Sequence, residues 1–298
     1  MLFNTSNITT DSITADFLLD KNINLSILRL DKIHPVVSGN KLFKLHYFLE
    51  EAIAFYMSGI VTFGGAYSNH LVATAFICKT NGLKSIGIVR GERPVNLSHT
   101  LLACIEYGMN LQFITREEYA KKEEAFFLET LSQQYKNYLI IPEGGYHPKG
   151  ADGAALITKF IDDDTTHICT AIGTATIFAG LINGAKENQQ LIGVPVLKGL
   201  TDLDKRVEYL TKNRHVYQLF DGYHFGGYAK KTTELVTFLN GVYSKYNLPL
   251  DFVYTAKMLF AIFDNIDKGF FEEGSKITCL HTGGLQGNNS LPKNTLIF

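Results

Sequence analysis

The chain has few of the residues that would settle its class at a glance. Four cysteines occur, Cys78, Cys104, Cys169 and Cys279, with no Cys-x-x-Cys pair and no Cys/His spacing suited to a metal. A zinc ribbon and a disulfide scaffold are therefore excluded. Each cysteine sits in an apolar stretch, so buried free thiols in a reducing cytosol are expected. Charge is also scarce. Charged residues make up 19% of the chain, below the usual share of about a quarter, and the net charge is -1. A protein that grips nucleic acid without sequence preference needs a basic footprint, which is missing here. No apolar run is long enough to span a bilayer. The N-terminal "MLFNTSNITTDSITADF" lacks the basic-then-apolar order of a secretory leader, so a cytoplasmic protein is expected. There is no clean Gly-x-Gly-x-x-Gly and no P-loop, so a nicotinamide-dependent Rossmann enzyme has little support.

What is present is apolar and periodic. Hydrophobic residues are 46% of 298, enough for one large domain or two modest ones. From Gly59 onward, strand-like runs alternate with helical patterns: "GIVTF", "HLVATAFICKT", "SIGIVRG", "LSHTLLACIEYG", "NLQFIT", a long helix over "REEYAKKEEAFFLETLSQQY", then "YLIIPEGG". Within that helix, Lys121–Glu124 read as a solvated face. The pattern resumes after Gly150 with "GAALITKFI", "THICTAI", "TIFAGLINGAKEN", "QLIGVPVL", "TDLDKRVEYLTKN", "HVYQLF", "KKTTELVTFLNGVYSKYN", "TAKMLFAIFDNIDKG" and "KITCLHTGG". This order predicts parallel sheets with helices on both faces. The Gly/Pro-rich "PEGGYHPKGA" (142–151) is the best candidate boundary, although a functional loop would look the same.

Ligands of open parallel sheets bind beyond the carboxyl ends of the strands, so the turns there carry the functional reading. In "FGGAYSNH" (63–70), Ser68 and Asn69 stand at a helix N-terminus, where unpaired N–H groups suit a carboxylate or phosphate. Simple helix capping is the rival explanation. In "IGTATIFAG" (172–180), the small residues Gly173, Thr174, Ala175 and Thr176 could cradle a phosphate, or form a generic Gly/Thr turn. "FDGYHFGGYAK" (220–230) offers Tyr223, His224 and Tyr228 as pocket walls or as packing residues. Taken alone, Thr255 is explained by helix capping and Thr282 by strand propensity. In "SGNKLFKL" (38–45), Lys41 and Lys44 are either surface cations or a reactive amine with a helper. A desolvated lysine near a phosphate site can act as an amine nucleophile.

Taken in order, SGNK-x-x-KL, GG-x-x-SNH, PEGG, the Gly/Thr loop, D-x-Y-x-x-GGY, VYT-x-K and HTGG run through nearly the whole chain. With these motifs the sequence resembles the 1-aminocyclopropane-1-carboxylate deaminase/D-cysteine desulfhydrase family. These are pyridoxal-phosphate enzymes of the tryptophan synthase β-like fold (fold type II). The resemblance implies two open α/β domains: a smaller one over 45–147, and a larger cofactor-binding one made of 1–44 and 148–298. It also implies a homodimer and pyridoxal 5'-phosphate as cofactor. Lys41 would hold the cofactor covalently and move the α-proton, with Lys44 as a phosphate-side helper. Ser68, Asn69 and His70 would grip the substrate carboxylate, Ser68 also with a part in catalysis and Asn69 also lying against the cofactor. Gly173, Thr174, Ala175 and Thr176 would hold the phosphate, and Tyr228 and Tyr254 would face the substrate, Tyr254 with a part in catalysis.

Within the family, deaminases carry Glu beside the pyridine nitrogen and Leu at a second position. This chain has Thr255 and Thr282 there, which resembles the desulfhydrase branch. A neutral hydroxyl makes a weaker electron sink than a carboxylate partner would. That suits β-elimination, in which a thiolate leaves as the α-proton is lost. The implied reaction converts D-cysteine to pyruvate, hydrogen sulfide and ammonia. Deaminase or racemase chemistry on another small amino acid is one alternative, and a binding protein without turnover is another. The "GTAT" loop has fewer glycines than the family pattern, and the N-terminal part is abbreviated.

Overall fold

The computed structural model describes residues 3–34, 37, 39–212 and 216–298. Ser38 of the SGNK motif and the starting His215 of "HVYQLF" lie outside the described residues, as does Asn213 at the end of "TDLDKRVEYLTKN". The chain opens with β1 (Thr10–Ile13), the single turn α1 (Asp16–Leu19) and β2 (Asn24–Arg29), then α2 (Asn40–Ala54). A run of alternating elements follows: β3 (Gly59–Gly64), α3 (Asn69–Thr80), β4 (Lys84–Arg90), α4 (His99–Glu106), β5 (Met109–Ile114), α5 (Arg116–Ala120), α6 (Ala125–Gln134) and β6 (Tyr138–Ile141). Next come α7 (Pro148–Ala155), β7 (His167–Ile172), α8 (Thr176–Gly184), β8 (Gln190–Pro195), α9 (Leu203–Leu210) and β9 (Tyr217–Leu219). The chain closes with α10 (Thr233–Tyr246), α11 (Thr255–Asp267) and β10 (Lys276–His281).

The strands form two sheets. One is four-stranded in the order β5-β4-β3-β6, and the other is six-stranded in the order β1-β2-β10-β7-β8-β9. The expected parallel pairing holds for each described pair except β1 with β2, which is antiparallel. No crossover helix joins those two strands, only the single turn α1, so the chain doubles back. The central strands β3 and β7 are buried at every position, as expected of sheets covered on both faces.

Ahead of the alternating run that begins at Gly59, β1 and β2 complete the edge of the six-stranded sheet. One sequence expectation needs correcting. The single long helix over 116–135 is two helices, α5 and α6, and Lys121–Glu124 form the break rather than a helix face. Tyr119 and Leu131 both bury into the core of the four-stranded sheet. On one continuous helix these positions would point about a third of a turn apart. The chain therefore opens α5 with a Thr115/Glu118 capping box, ends it at Ala120 and restarts at Ala125. Lys122, within the break, reaches Glu143 at 3.5 Å and stands over the Tyr119 ring.

Helix α8 is apolar nearly all round, with Phe178 and Leu181 fully buried. Each such side chain contributes on the order of 1.5–3 kcal/mol. Helix α7 wedges between α2 and α8 because Gly153 lacks a side chain: a Cβ there would lie 2.1 Å from the Phe43 carbonyl oxygen. The four cysteines are buried, as their apolar settings implied.

Candidate active site

Two distant motifs interlock at the start of α2. Gly39 has φ +82°, and a Cβ on it would fall 1.8 Å from the carbonyl oxygen of Thr282. Only glycine fits that approach. Its own N–H donates to Leu30 O at 2.9 Å, and Asn40 N–H donates to Thr282 O at 3.2 Å. Beneath this junction Arg29 makes a two-pronged pair with Asp31, at 2.8 and 2.7 Å, and reaches Asp11 at 2.6 Å. His281 Nδ1 stands 3.3 Å from Asp31, and its Nε2 is 2.7 Å from Pro249 O. Removing one partner of a buried pair of this kind costs about 3–5 kcal/mol. The network thus holds the first turn of α2 against the end of β10.

The result is a cavity of about 590 Å³ between the carboxyl ends of the two sheets. Ten of the thirteen residues expected at the site line it: Lys41, Lys44, Ser68, Asn69, His70, Gly173, Thr174, Tyr228, Tyr254 and Thr282. Ala175, Thr176 and Thr255 do not. Ala175 and Thr176 are buried behind the turn, where Thr176 Oγ1 lies 3.2 Å from Thr174 Oγ1. Thr255 is the correction that matters. Its hydroxyl donates to Asp251 Oδ1 at 2.7 Å and accepts from Asp251 N–H at 2.9 Å. That hydroxyl completes the N-terminal cap of α11 and has nothing left for a pyridine nitrogen. Thr282 is the threonine on the cavity wall.

The two lysines occupy different settings one helical turn apart. Lys41 Nζ donates to Asn40 Oδ1 at 2.6 Å and stands 5.9 Å over the Tyr254 ring. Burial lowers its amine to about 8, against a smaller opposing pull from Asp251. Lys44 is fully buried, and burial followed by the Lys41 charge pushes its amine well below the ordinary value. Burial and both lysines hold His70 down to about 3, so it is neutral. Its tautomer follows from its neighbour. Thr62 donates its hydroxyl proton to Ile141 O at 2.8 Å and must therefore accept from His70 Nε2 at 2.9 Å. Nδ1 is left as a buried acceptor without a partner. Burial first, then Tyr228, pushes the Tyr254 phenol up, so it remains a protonated donor. Tyr228 stands half-exposed at the mouth, edge-on to Tyr254 with centroids 6.1 Å apart.

Sequence reasoning missed two charged lining residues, Arg90 and Glu143. Arg90 is the last residue of β4, and its guanidinium nitrogen would meet a Cβ on Gly65 at 3.5 Å. A charge at the carboxyl end of an otherwise buried parallel strand was the available signal. Glu143 lay unremarked within PEGG.

Pyridoxal phosphate requires an amine that can be neutral, a seat for a phosphate dianion, and space for an aromatic ring. Two desolvated lysines and an uncapped helix N-terminus at Ala175–Thr176 form an electropositive site short of countercharge, so the residues present fit the group. Lys41 would hold its carbonyl carbon, the 173–176 turn its phosphate, and Thr282 would lie within the same wall.

A family model described as "Pyridoxal-phosphate dependent enzyme" matches residues 18–283. A Thermotoga maritima protein provisionally named 1-aminocyclopropane-1-carboxylate deaminase is 32% identical over 285 residues, covering 89% of each chain. The Arabidopsis thaliana mitochondrial bifunctional D-cysteine desulfhydrase/1-aminocyclopropane-1-carboxylate deaminase is 29% identical, covering 90% of this chain and 74% of its own. A crystal structure described as an ACC deaminase homologue superposes with TM-score 0.81 at 27% identity, covering 97% of this chain and 92% of that one. The chain belongs to the pyridoxal-phosphate-dependent enzyme family, and pyridoxal phosphate is its cofactor. Among the described residues, no helix is long and apolar enough to cross a membrane.

Proposed function

We propose that the chain is a pyridoxal-phosphate-dependent lyase whose substrate is a small amino acid, D-cysteine before others, cleaved to pyruvate, hydrogen sulfide and ammonia. The observation that carries this reading is one cavity joining the Lys41 amine to the Ser68–Asn69 helix end and the Thr282 hydroxyl. The cofactor, when bound, supplies the sink for the electron pair released with the α-proton. Lys41 takes that proton, its amine being neutral for a useful fraction of the time near pH 8. Ser68 and Asn69 hold the substrate carboxylate at the start of α3. Tyr254, a protonated phenol beside Lys41, orients the amine and can give a proton to a departing thiolate. Tyr228 screens the mouth from water.

A second reading is favoured by the Thermotoga maritima relative: ring opening of 1-aminocyclopropane-1-carboxylate. It gives a four-carbon 2-oxo acid, whereas D-cysteine gives three-carbon pyruvate, so product analysis separates the two. Racemase or other deaminase chemistry would show in the same substrate panel, and a protein without turnover would bind cofactor and release neither acid. The domains we infer are 45–147 and 1–44 with 148–298, a division that places one sheet in each. We read the enzyme as a cytoplasmic homodimer, and its buried, unpaired cysteines support a reducing compartment.

The deciding experiment is the absorbance spectrum of the purified protein before and after adding D-cysteine, with pyruvate and sulfide assayed. Lys41→Ala is expected to lose the cofactor-linked band and to reduce turnover by about 10²–10⁴. An unchanged spectrum in that variant would sink the assignment.

A further inference from the structure

The VYT-x-K motif ends in a lysine that the chemistry above does not use. Lys257, on the first turn of α11, is fully buried. Its Nζ donates to two backbone carbonyls, His224 O at 2.8 Å and Gly227 O at 2.7 Å. Among the described residues it has no carboxylate within ion-pair distance. Burying an ammonium on carbonyls alone is costly, and a satisfied core position would be served as well by methionine.

Those two carbonyls belong to the turn that carries Tyr228. Each also accepts from the turn's own backbone, Gly227 N–H to His224 O at 3.0 Å and Lys230 N–H to Gly227 O at 3.2 Å. The ammonium is thus the hub of two consecutive turns. The segment has no helix or strand of its own, and Gly222, Phe225, Gly226, Gly227 and Ala229 all adopt positive φ. Two of these are not glycine, so the conformation must be held from outside. Its first half is laid on α11 by Phe225 against Phe260, with centroids 5.0 Å apart, and by the Tyr223 hydroxyl donating to Asp264. Among the described residues, Lys257 supplies the hydrogen bond from outside the turn to the half that leads into Tyr228, whose ring also stands edge-on to Tyr254. Tyr254 is the N-cap of the same helix, so one element sets both cavity tyrosines.

We propose that Lys257 is a positioning residue of the active site: its ammonium holds the 224–230 turn on α11 and so sets Tyr228 over the cavity mouth. The part of this that concerns substrate rests on the elimination reading; the part that concerns the turn does not.

The chain contains no tryptophan, so Phe225→Trp gives a single tryptophan, selectively excited, within the turn of the full-length holoenzyme. In that background Lys257→Met is expected to shift emission to longer wavelength and raise acrylamide quenching about two- to threefold. The cofactor band and the unfolding temperature should stay near parental values. KM for D-cysteine should rise about tenfold with kcat changed less than threefold, and Lys257→Arg should recover part of both effects. Parental quenching in Lys257→Met overturns the proposal, as does an equal loss of kcat with KM unmoved. Should Lys257→Met fail to fold, Lys257→Gln is read by the same quenching. If that variant also fails to fold, Lys257 is a core residue and the proposal falls. Absence of D-cysteine turnover in the parent would count against the elimination reading alone, because the fluorescence still decides the role of Lys257.

Discussion

The N-termini of α3 and α8 face one cavity from opposite sheets, and they are finished in different ways. At α3, Ser68 is an extended N-cap whose hydroxyl accepts from Leu71 N–H at 3.4 Å. At α8, Ala175 adopts a left-handed conformation at φ +67° and no side chain caps the helix. A capped end has spent one backbone donor and offers particular side chains instead. An open end keeps its N–H groups for an anion with several oxygens. Under the proposed function, the α8 side would take the cofactor phosphate and the α3 side the substrate carboxylate.

The strongest way to break this assignment is to fill the open end. Thr174→Asp puts a carboxylate on the cavity wall beside the α8 terminus, where it competes with a phosphate for the same donors. Pyridoxal phosphate should then bind the apoprotein at least about tenfold more weakly, a loss of about 1.4 kcal/mol or more. Absorbance titration measures this, and parental affinity would mean that the phosphate sits elsewhere.

Lys41 lines the same cavity, and burial there lowers its amine. With its amine near 8, the rate of cofactor capture should climb about tenfold from pH 7 to 9 and level off above about pH 9. An ordinary lysine would keep accelerating past pH 10. The stability effect has a definite sign. The native amine releases its proton at about 8, and the unfolded one at the ordinary 10.5. Between those values the unfolded chain binds more protons, so apoprotein stability rises with pH across that window. Denaturant midpoints at pH 8 and 10 test it, and a falling midpoint would show that the amine is not desolvated.

The capped end has a milder test. Ser68→Ala should raise KM several-fold, cost about 0.5–1 kcal/mol of stability and leave cofactor affinity unchanged. A loss of cofactor affinity equal to that of Thr174→Asp would erase the distinction between the two ends.

Much of this was readable in advance, for identifiable reasons. Buried parallel strands are continuous apolar runs, so β3, β4 and β7 stood out, and the turns after β3 and β7 led to the right cavity. β1 was not visible because its four residues bury only Ile13, too little for a periodic signal. Thr255 and Thr282 could not be ranked from sequence. Which hydroxyl faces the cavity depends on Asp251, a buried cap four residues before Thr255 that accepts three backbone N–H groups. Arg90 was missed because its strand was read for its apolar core and not for its last residue.

The smallest expected effect concerns Ala175 itself. A left-handed alanine carries a cost of about 1–2 kcal/mol that glycine avoids, while glycine gives back up to about 1 kcal/mol through the greater freedom of the unfolded chain. Ala175 is fully buried, and its carbonyl accepts from Ala179 N–H at 2.9 Å in the first turn of α8. The turn geometry is therefore fixed by the helix as well as by residue 175. Ala175→Gly should stabilise the apoprotein by at most about 1 kcal/mol, roughly 2 °C for a chain of this size, and leave cofactor affinity within about twofold. A larger gain in affinity would mean that the Cβ, and not the backbone conformation, limits access to the α8 end. The two helix ends would then differ through steric obstruction rather than through capping.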